Sequence, residues 1–185
     1  MGLGSQTIPF MSTPDIHLWP DFVTDSLSLF EHLKDTIAWE SSMRARRTAS
    51  FGAPYNYSQM SYPKCPIPAA LERLLAPIGD KVGWIPNNSL VNFYPDGDST
   101  MGFHFDALEP LEEGTGVAIV SLGEQRTLTF ARRDDKGVRF EQPMPPGSLL
   151  LMPAPVQNEW LHGVLKQAGV GSRMSLTFRR LKPLS

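Results

Sequence analysis

Leu90-Val-Asn-Phe-Tyr-Pro-Asp-Gly-Asp-Ser-Thr-Met-Gly-Phe-His-Phe-Asp106 is the stretch whose reading decides the fold. Leu90 to Tyr94 has the composition of a strand. If the end of the stretch is extended too, alternate side chains share a face. His104 and Asp106 then point one way and Phe105 the other. A further histidine, His162, stands in Glu159-Trp-Leu-His-Gly-Val164. Two imidazoles and one carboxylate leave positions open on an octahedral ion, as non-haem Fe(II) oxygenase chemistry requires. The pair alone has a commoner reading, a hydrogen-bonded histidine beside a solvated acid, and a zinc hydrolase uses the same ligand types.

Outward from this stretch the chain reads as short strands: Gly116 to Leu122, Arg126 to Arg132, Arg139 to Gln142, Ser148 to Met152, Leu161 to Leu165 and Met174 to Arg180. Asp134-Asp-Lys-Gly137 makes a hairpin turn, and Pro143 to Gly147 a wider one. Upstream, Thr24 or Asp25 caps a helix running to about Trp39, with Phe30, Leu33 and Ile37 as its buried stripe. Pro68 to Ile78 gives a second, short helix ended by Gly79, while Pro9, Pro14 and Pro20 keep the first twenty residues out of a helix. The fold class is therefore mainly β: a double-stranded β-helix, or jelly roll, with N-terminal supporting helices. Phe103, Phe105, Leu128, Phe130, Leu149, Leu151 and Phe178 are its expected packing residues.

A chain of 185 residues is expected to form one domain, 1–185. Its 15 glycines and 17 prolines exceed the usual share of about 12%, which favours turns and short strands. The single cysteine, Cys65, excludes an intramolecular disulfide and an all-cysteine zinc site. No secretory signal or membrane-length apolar run is evident, and Gln6 stands where a Met1-Gly2 myristoylation motif wants Ser or Thr. Cytoplasm is the expected location. A net charge of -2 argues against a whole-surface nucleic-acid binder, but charge is unevenly spread. Lys166, Arg173, Arg179, Arg180 and Lys182 crowd the C-terminal end, and Arg44, Arg46 and Arg47 form a second basic knot.

That knot opens residues 44–63, where three arginines interleave with Tyr55, Tyr57 and Tyr62 around the turn Gly52-Ala-Pro54. Such a mixture suits stacking on bases and pairing with phosphates, or a rim of tyrosines packed around a barrel. Near the other end, Arg173 and Arg179 fall on one face of a strand. Two buried guanidiniums on one face are costly unless anions meet them, and a dicarboxylate would do so through charge-assisted bonds. A solvated strand edge is the alternative.

Asn92-Phe-Tyr94, Gly97, His104-x-Asp106, His162 and Arg173-Met-Ser-Leu-Thr-Phe-Arg179, in that order, resemble the signature of the AlkB-like Fe(II)/2-oxoglutarate dioxygenases. The block Leu150 to His162 also looks like that family's lead-in to its second metal histidine. The resemblance covers about residues 44 to 180. It implies a facial triad of His104, Asp106 and His162 for Fe(II), with 2-oxoglutarate as cosubstrate and dioxygen as oxidant. Arg173 would hold the distal carboxylate with help from Tyr94, and Asn92 and Arg179 would act nearer the metal. Ser175 departs from the family's asparagine. The 44–63 stretch resembles the family's substrate lid, so Arg47, Tyr55 and Tyr57 join Leu108 and Trp160 as expected substrate residues. Ala107 and Leu108 replace acids used there in recognising a base.

The activity implied is oxidative demethylation of N-alkylated bases in DNA or RNA, a dealkylation repair. The alternative is a 2-oxoglutarate-dependent hydroxylase acting on a small molecule, protein side chain or tRNA base. Expected partners are alkylated single-stranded DNA or RNA, with no membrane and no obligate protein partner, the chain acting as a monomer.

Overall fold

The computed structural model describes residues 13–40, 45–57 and 60–183. Met1-Gly2, Gln6, Pro9, Arg44, Ser58 and the side chain of Tyr57 lie outside the described residues. The chain starts with β1 (His17–Trp19) and α1 (Ser26–Thr36). Pro14 and Pro20 do exclude a helix, yet the residues between them form a short edge strand, a position proline tolerates at its borders. Helix α1 is shorter than expected. Its backbone turns extended at Ile37 (ψ 131°), and Asp25 makes no capping bond there but accepts from Arg73 Nη2 at 2.8 Å.

Next come β2 (Arg47–Gly52), β3 (Tyr55–Tyr57) and β4 (Met60–Tyr62), then α2 (Ala69–Glu72) and α3 (Leu75–Val82). The expected single helix is thus two, and Gly79 does not end it. Gly79 sits inside α3 because a Cβ there would lie 2.9 Å from Ile85 Cγ1. The stop is Gly83, at φ 85° in the left-handed region. The remaining elements are β5 (Asn88–Tyr94), β6 (Met101–His104), β7 (Gly116–Gly123), β8 (Arg126–Arg132), β9 (Arg139–Met144), β10 (Leu149–Pro153), α4 (Val156–Glu159), β11 (Trp160–Val164) and β12 (Arg173–Arg179). Pro143 is accepted inside β9 because that strand lies at a sheet edge.

The strands build a six-stranded sheet, β1-β10-β7-β12-β5-β2, facing a four-stranded sheet, β6-β11-β8-β9. Every pairing is antiparallel, and β3 and β4 form a separate hairpin. This is the expected jelly roll. Alternation along the central strands sorts residues onto two faces. Val91, Phe93, Met174, Leu176, Phe178, Val120 and Leu122 face outward and pack under α1, α2 and α3 through Phe30, Leu33, Leu71 and Ile78. Each such side chain contributes about 1.5–3 kcal/mol by burial. The opposite face carries a polar row in register, Thr48 beside Asn92, Asn92 beside Ser175, and Ser175 beside Ser121.

Behind that row the second core joins both sheets through Tyr94, Ile119, Leu128, Phe130, Leu150 and Trp160. Of the expected packing residues, Leu128, Phe130, Leu149 and Phe178 are buried. Phe103 and Leu151 are partly covered. Phe105 is not in the core: it is 48% exposed, since alternation that turns its neighbours inward turns it out of the smaller sheet. Among the described residues no helix is long and apolar enough to cross a membrane.

Candidate active site

Strand β6 ends at His104, directly opposite His162 on β11, and Asp106 follows two residues later. The His104 and His162 ring centroids are 4.3 Å apart. One ligand atom from each of His104, Asp106 and His162 lies within 4.8 Å of the others. The sequence spacing therefore does bring the three together. His104 Nδ1 lies 2.9 Å from the Gly102 carbonyl oxygen, so as donor it sets Nε2 as the basic nitrogen.

Asp106 is 3% exposed and His162 2%. Burial acts to raise the Asp106 pKa, but Arg179, supported by His162 and His104, outweighs it and holds the carboxyl at about 2. Arg179 Nη2 donates to Asp106 Oδ1. For His162, burial together with His104 pushes the pKa down to about 3 against the pull of Asp106. The 3.5 Å approach of His162 Nε2 to Asp106 Oδ2 is therefore not an ion pair at neutral pH. An ionised carboxylate and a neutral imidazole are the protonation states a metal demands of its ligands. The donor set fits a borderline first-row ion.

The inward face of β12 supplies the rest. Arg173 is 1% exposed. Its Nε donates to Ser121 Oγ at 3.0 Å, and its Cζ lies 5.3 Å from the Tyr94 ring centre. Arg173 Nη1 is buried with no hydrogen-bond partner among the described residues. A buried cation with an unmet donor calls for an anion, and a carboxylate of 2-oxoglutarate fits it. Asn92 and Ser175 line the same cavity as the triad, Arg173 and Arg179. Ser175 Oγ is 3.5 Å from Thr177 Oγ1.

The expected substrate residues divide. Tyr55 is at the site, buried, with the Arg179 Cζ 4.6 Å from its ring centre. Burial raises its pKa, although Arg179 opposes the shift. Leu108 packs with Tyr55, Leu90 and Leu111. Tyr62 reaches the polar row, its hydroxyl 2.7 Å from Thr48 Oγ1. Arg47 does not reach the site: paired with Phe93, it stands on the outward face, its Cζ 5.9 Å from that ring. Arg46, one residue earlier, is buried, and its Nε donates to Asn92 Oδ1 at 2.8 Å. It is an internal support, not a surface phosphate contact. Trp160 is 2% exposed, packed in the inter-sheet core with Arg132 5.5 Å from its ring, and is not among the cavity walls.

Two supports went unread in the sequence. Gln157 Oε1 accepts the Asp106 backbone N–H at 2.9 Å, and its own carbonyl accepts from Arg133 Nη1 at 3.0 Å. Arg126 donates to the carbonyls of Asp96, Ser99 and Leu165, tying the β5–β6 loop to the end of β11. Gly97 in that loop must be glycine, because a Cβ would meet Gln167 O at 1.9 Å. Arg126 shares the inward parity of Leu128 and Phe130, which is the signal that could have found it. Gln157 has no such signal.

Residues 26–179 match the 2OG-Fe(II) oxygenase superfamily. The chain is 30% identical over 154 residues to the DNA oxidative demethylase ALKBH2 of Mus musculus, covering 78% of this chain and 64% of that protein. It is 29% identical over 189 residues to the alpha-ketoglutarate-dependent dioxygenase alkB homolog 3 of Rattus norvegicus, covering 90% of this chain and 64% of the relative. The chain thus spans less than two thirds of the length of these relatives. Among solved structures, that of OsALKBH1 superposes with a TM-score of 0.72 at 16% identity, over 91% of this chain and 99% of that one, a likeness of fold.

Proposed function

This chain belongs to the 2OG-Fe(II) oxygenase superfamily, and from that premise we propose that it oxidatively demethylates N-alkylated bases in DNA or RNA. The observation that carries this reading is the joint placement of the triad and the unsatisfied Arg173 in one cavity. A zinc hydrolase would have no use for that buried guanidinium. The nucleic-acid substrate is supported by the names of the relatives and by the aromatic cover of Tyr55 and Tyr62.

In this reading His104, Asp106 and His162 hold the iron. Bound iron and cosubstrate supply the oxidation of 2-oxoglutarate to succinate and carbon dioxide, with the second oxygen atom of dioxygen passing to the N-methyl carbon, which leaves as formaldehyde. Arg179 keeps Asp106 ionised and oriented, and Gln157 fixes its backbone. Arg173 anchors the cosubstrate carboxylate, with Tyr94 beside it and Ser175 and Asn92 along the same wall. Tyr55 lies beside Arg179 with Leu108 packed in the same cluster, and a base must be unpaired or flipped to bring its methyl group to the triad. A monomer acting in the cytoplasm remains part of the reading.

The test is a formaldehyde screen of the iron-loaded protein across N-methylated bases in single-stranded DNA, duplex DNA and RNA. Release from at least one class is expected. Consumption of 2-oxoglutarate with no base demethylated would favour the hydroxylase alternative.

A further inference from the structure

One wall of the triad cavity is a thioether. Met101 begins β6 and lines the same space as His104, Asp106, His162 and Arg173. Simple alternation would turn it away, because it stands an odd number of residues before His104. A β-bulge reverses that. His162 pairs with His104 but Val164 pairs with Met101, so a step of three residues on β6 matches a step of two on β11. Gly163 makes room for it, since a Cβ there would lie 2.9 Å from the Met101 carbonyl oxygen. The same bulge places the Gly102 carbonyl oxygen 2.9 Å from His104 Nδ1. The irregularity that orients a metal ligand therefore also carries the Met101 side chain inward.

The sulfur lies against the wall assigned to the cosubstrate. The Tyr94 hydroxyl donates to Met101 Sδ at 3.8 Å, and the Tyr94 ring centre is 5.3 Å from Arg173 Cζ. Met101 is half-buried, whereas Met144, Met152 and Met174 are fully buried in the cores and do not line the cavity. The apolar residues beside Met101 there, Leu90, Ile119, Leu128 and Val164, offer only C–H bonds. A thioether sulfur has a lone pair to give and is the most easily oxidised group among them.

We propose that Met101 is an internal oxidation site: turnover with no substrate in place converts its thioether to the sulfoxide, which weakens 2-oxoglutarate binding. The reaction balances with what the superfamily's chemistry supplies. The O–O bond of dioxygen and the C1–C2 bond of 2-oxoglutarate break, and carbon dioxide leaves. One oxygen atom enters succinate, and the other bonds the sulfur through its lone pair. 2-Oxoglutarate and the sulfur each give two electrons, and no proton is taken up or released.

The consequence follows from polarity. A thioether is a weak hydrogen-bond acceptor, whereas a sulfoxide is polar and carries an exposed oxygen. Formed here, that oxygen takes the Tyr94 hydroxyl and crowds the space a carboxylate needs to reach Arg173. An idle enzyme that consumes cosubstrate thus slows itself, and because methionine sulfoxide is reducible the block is reversible. The proposal needs the oxygenase chemistry of the triad, not the identity of the substrate.

The experiment incubates the full chain, loaded with Fe(II), with 2-oxoglutarate and isotopically labelled dioxygen. Substrate is left out, and catalase removes free peroxide. Peptide mass spectrometry should find labelled sulfoxide at Met101, rising with succinate and absent when iron or 2-oxoglutarate is omitted. Met144, Met152 and Met174 should stay unmodified. Anaerobic calorimetry should show the oxidised protein binding 2-oxoglutarate about tenfold more weakly, the scale of one hydrogen bond to a charged group. Met101→Leu, close in volume, should carry no label in that peptide. Its succinate formation should decay more slowly, relative to its own starting rate, than that of wild type. Succinate without label at Met101, label that appears without 2-oxoglutarate, or undiminished affinity of the oxidised protein overturns the proposal and leaves the triad standing. No succinate at all overturns both.

Discussion

Arg179 donates from Nη2 to Oδ1 of Asp106 with both side chains buried, leaving Oδ2 turned to His162. The pair is the electrostatic anchor of the site, because the guanidinium holds the carboxyl pKa down where burial pushes it up. Removing one partner leaves the other buried and unmet. Arg179→Met should therefore destabilise the metal-free protein by roughly 3–5 kcal/mol and weaken metal binding. Denaturant titration and Co(II) titration would read the two effects. An unchanged denaturation midpoint would mean that Asp106 does not depend on Arg179.

Arg173 should behave with the opposite sign. Its charge is buried and its Nη1 has no hydrogen-bond partner among the described residues, so Arg173→Met should leave the metal-free protein as stable as wild type or more so. Its 2-oxoglutarate affinity should fall by roughly 2 to 5 kcal/mol with metal binding retained. Calorimetry on anaerobic protein checks this, and undiminished cosubstrate affinity would remove Arg173 from the anion site.

The buried histidine makes a pH prediction for the metal-free protein. The His162 pKa is lowered to about 3 in the fold, against about 6.5 for an unfolded histidine. Between those values the unfolded chain binds a proton that the folded chain refuses, so stability falls as pH drops from about 6.5 toward 3. Asp106, lowered to about 2, contributes stability above its unfolded value of about 3.9. That contribution is lost only as pH falls toward about 2, so it does not act in the upper part of the histidine window. Denaturation midpoints at pH 7, 6 and 5 should fall more steeply for wild type than for His162→Gln. Parallel slopes would show His162 to be solvated.

Gln157 holds the Asp106 backbone N–H and would thereby orient the carboxylate toward a metal. Gln157→Met should lower metal affinity about 10–100-fold, the usual scale for a group that orients a ligand, with circular dichroism unchanged. Equal metal affinity would make the bond incidental.

Residue pattern alone placed β5, β7, β8 and β12 to within one or two residues, since their alternation answers to a single buried layer on each face. The triad was legible because its ligands are chemically distinctive. Parity errors account for what was misplaced. The resemblance of 44–63 to a lid points to Arg47, but a strand in register with β5 turns Arg46 inward and Arg47 outward, and one residue of register decides which arginine meets the site. Trp160 has the parity of His162 on β11 and so lies in the core. A strand assumed to start at Leu161 hid that relation. Gln157 and the Arg46–Asn92 bond join segments far apart in sequence, and no local pattern encodes them.

The central claim is that His104, Asp106 and His162 hold the iron that drives 2-oxoglutarate turnover. Succinate release from the purified, iron-loaded protein, compared with His104→Ala, Asp106→Ala and His162→Ala, tests it most directly. The account predicts iron-dependent succinate from wild type and none from any of the three variants, with their fold retained. Wild-type turnover in any one of them would contradict it.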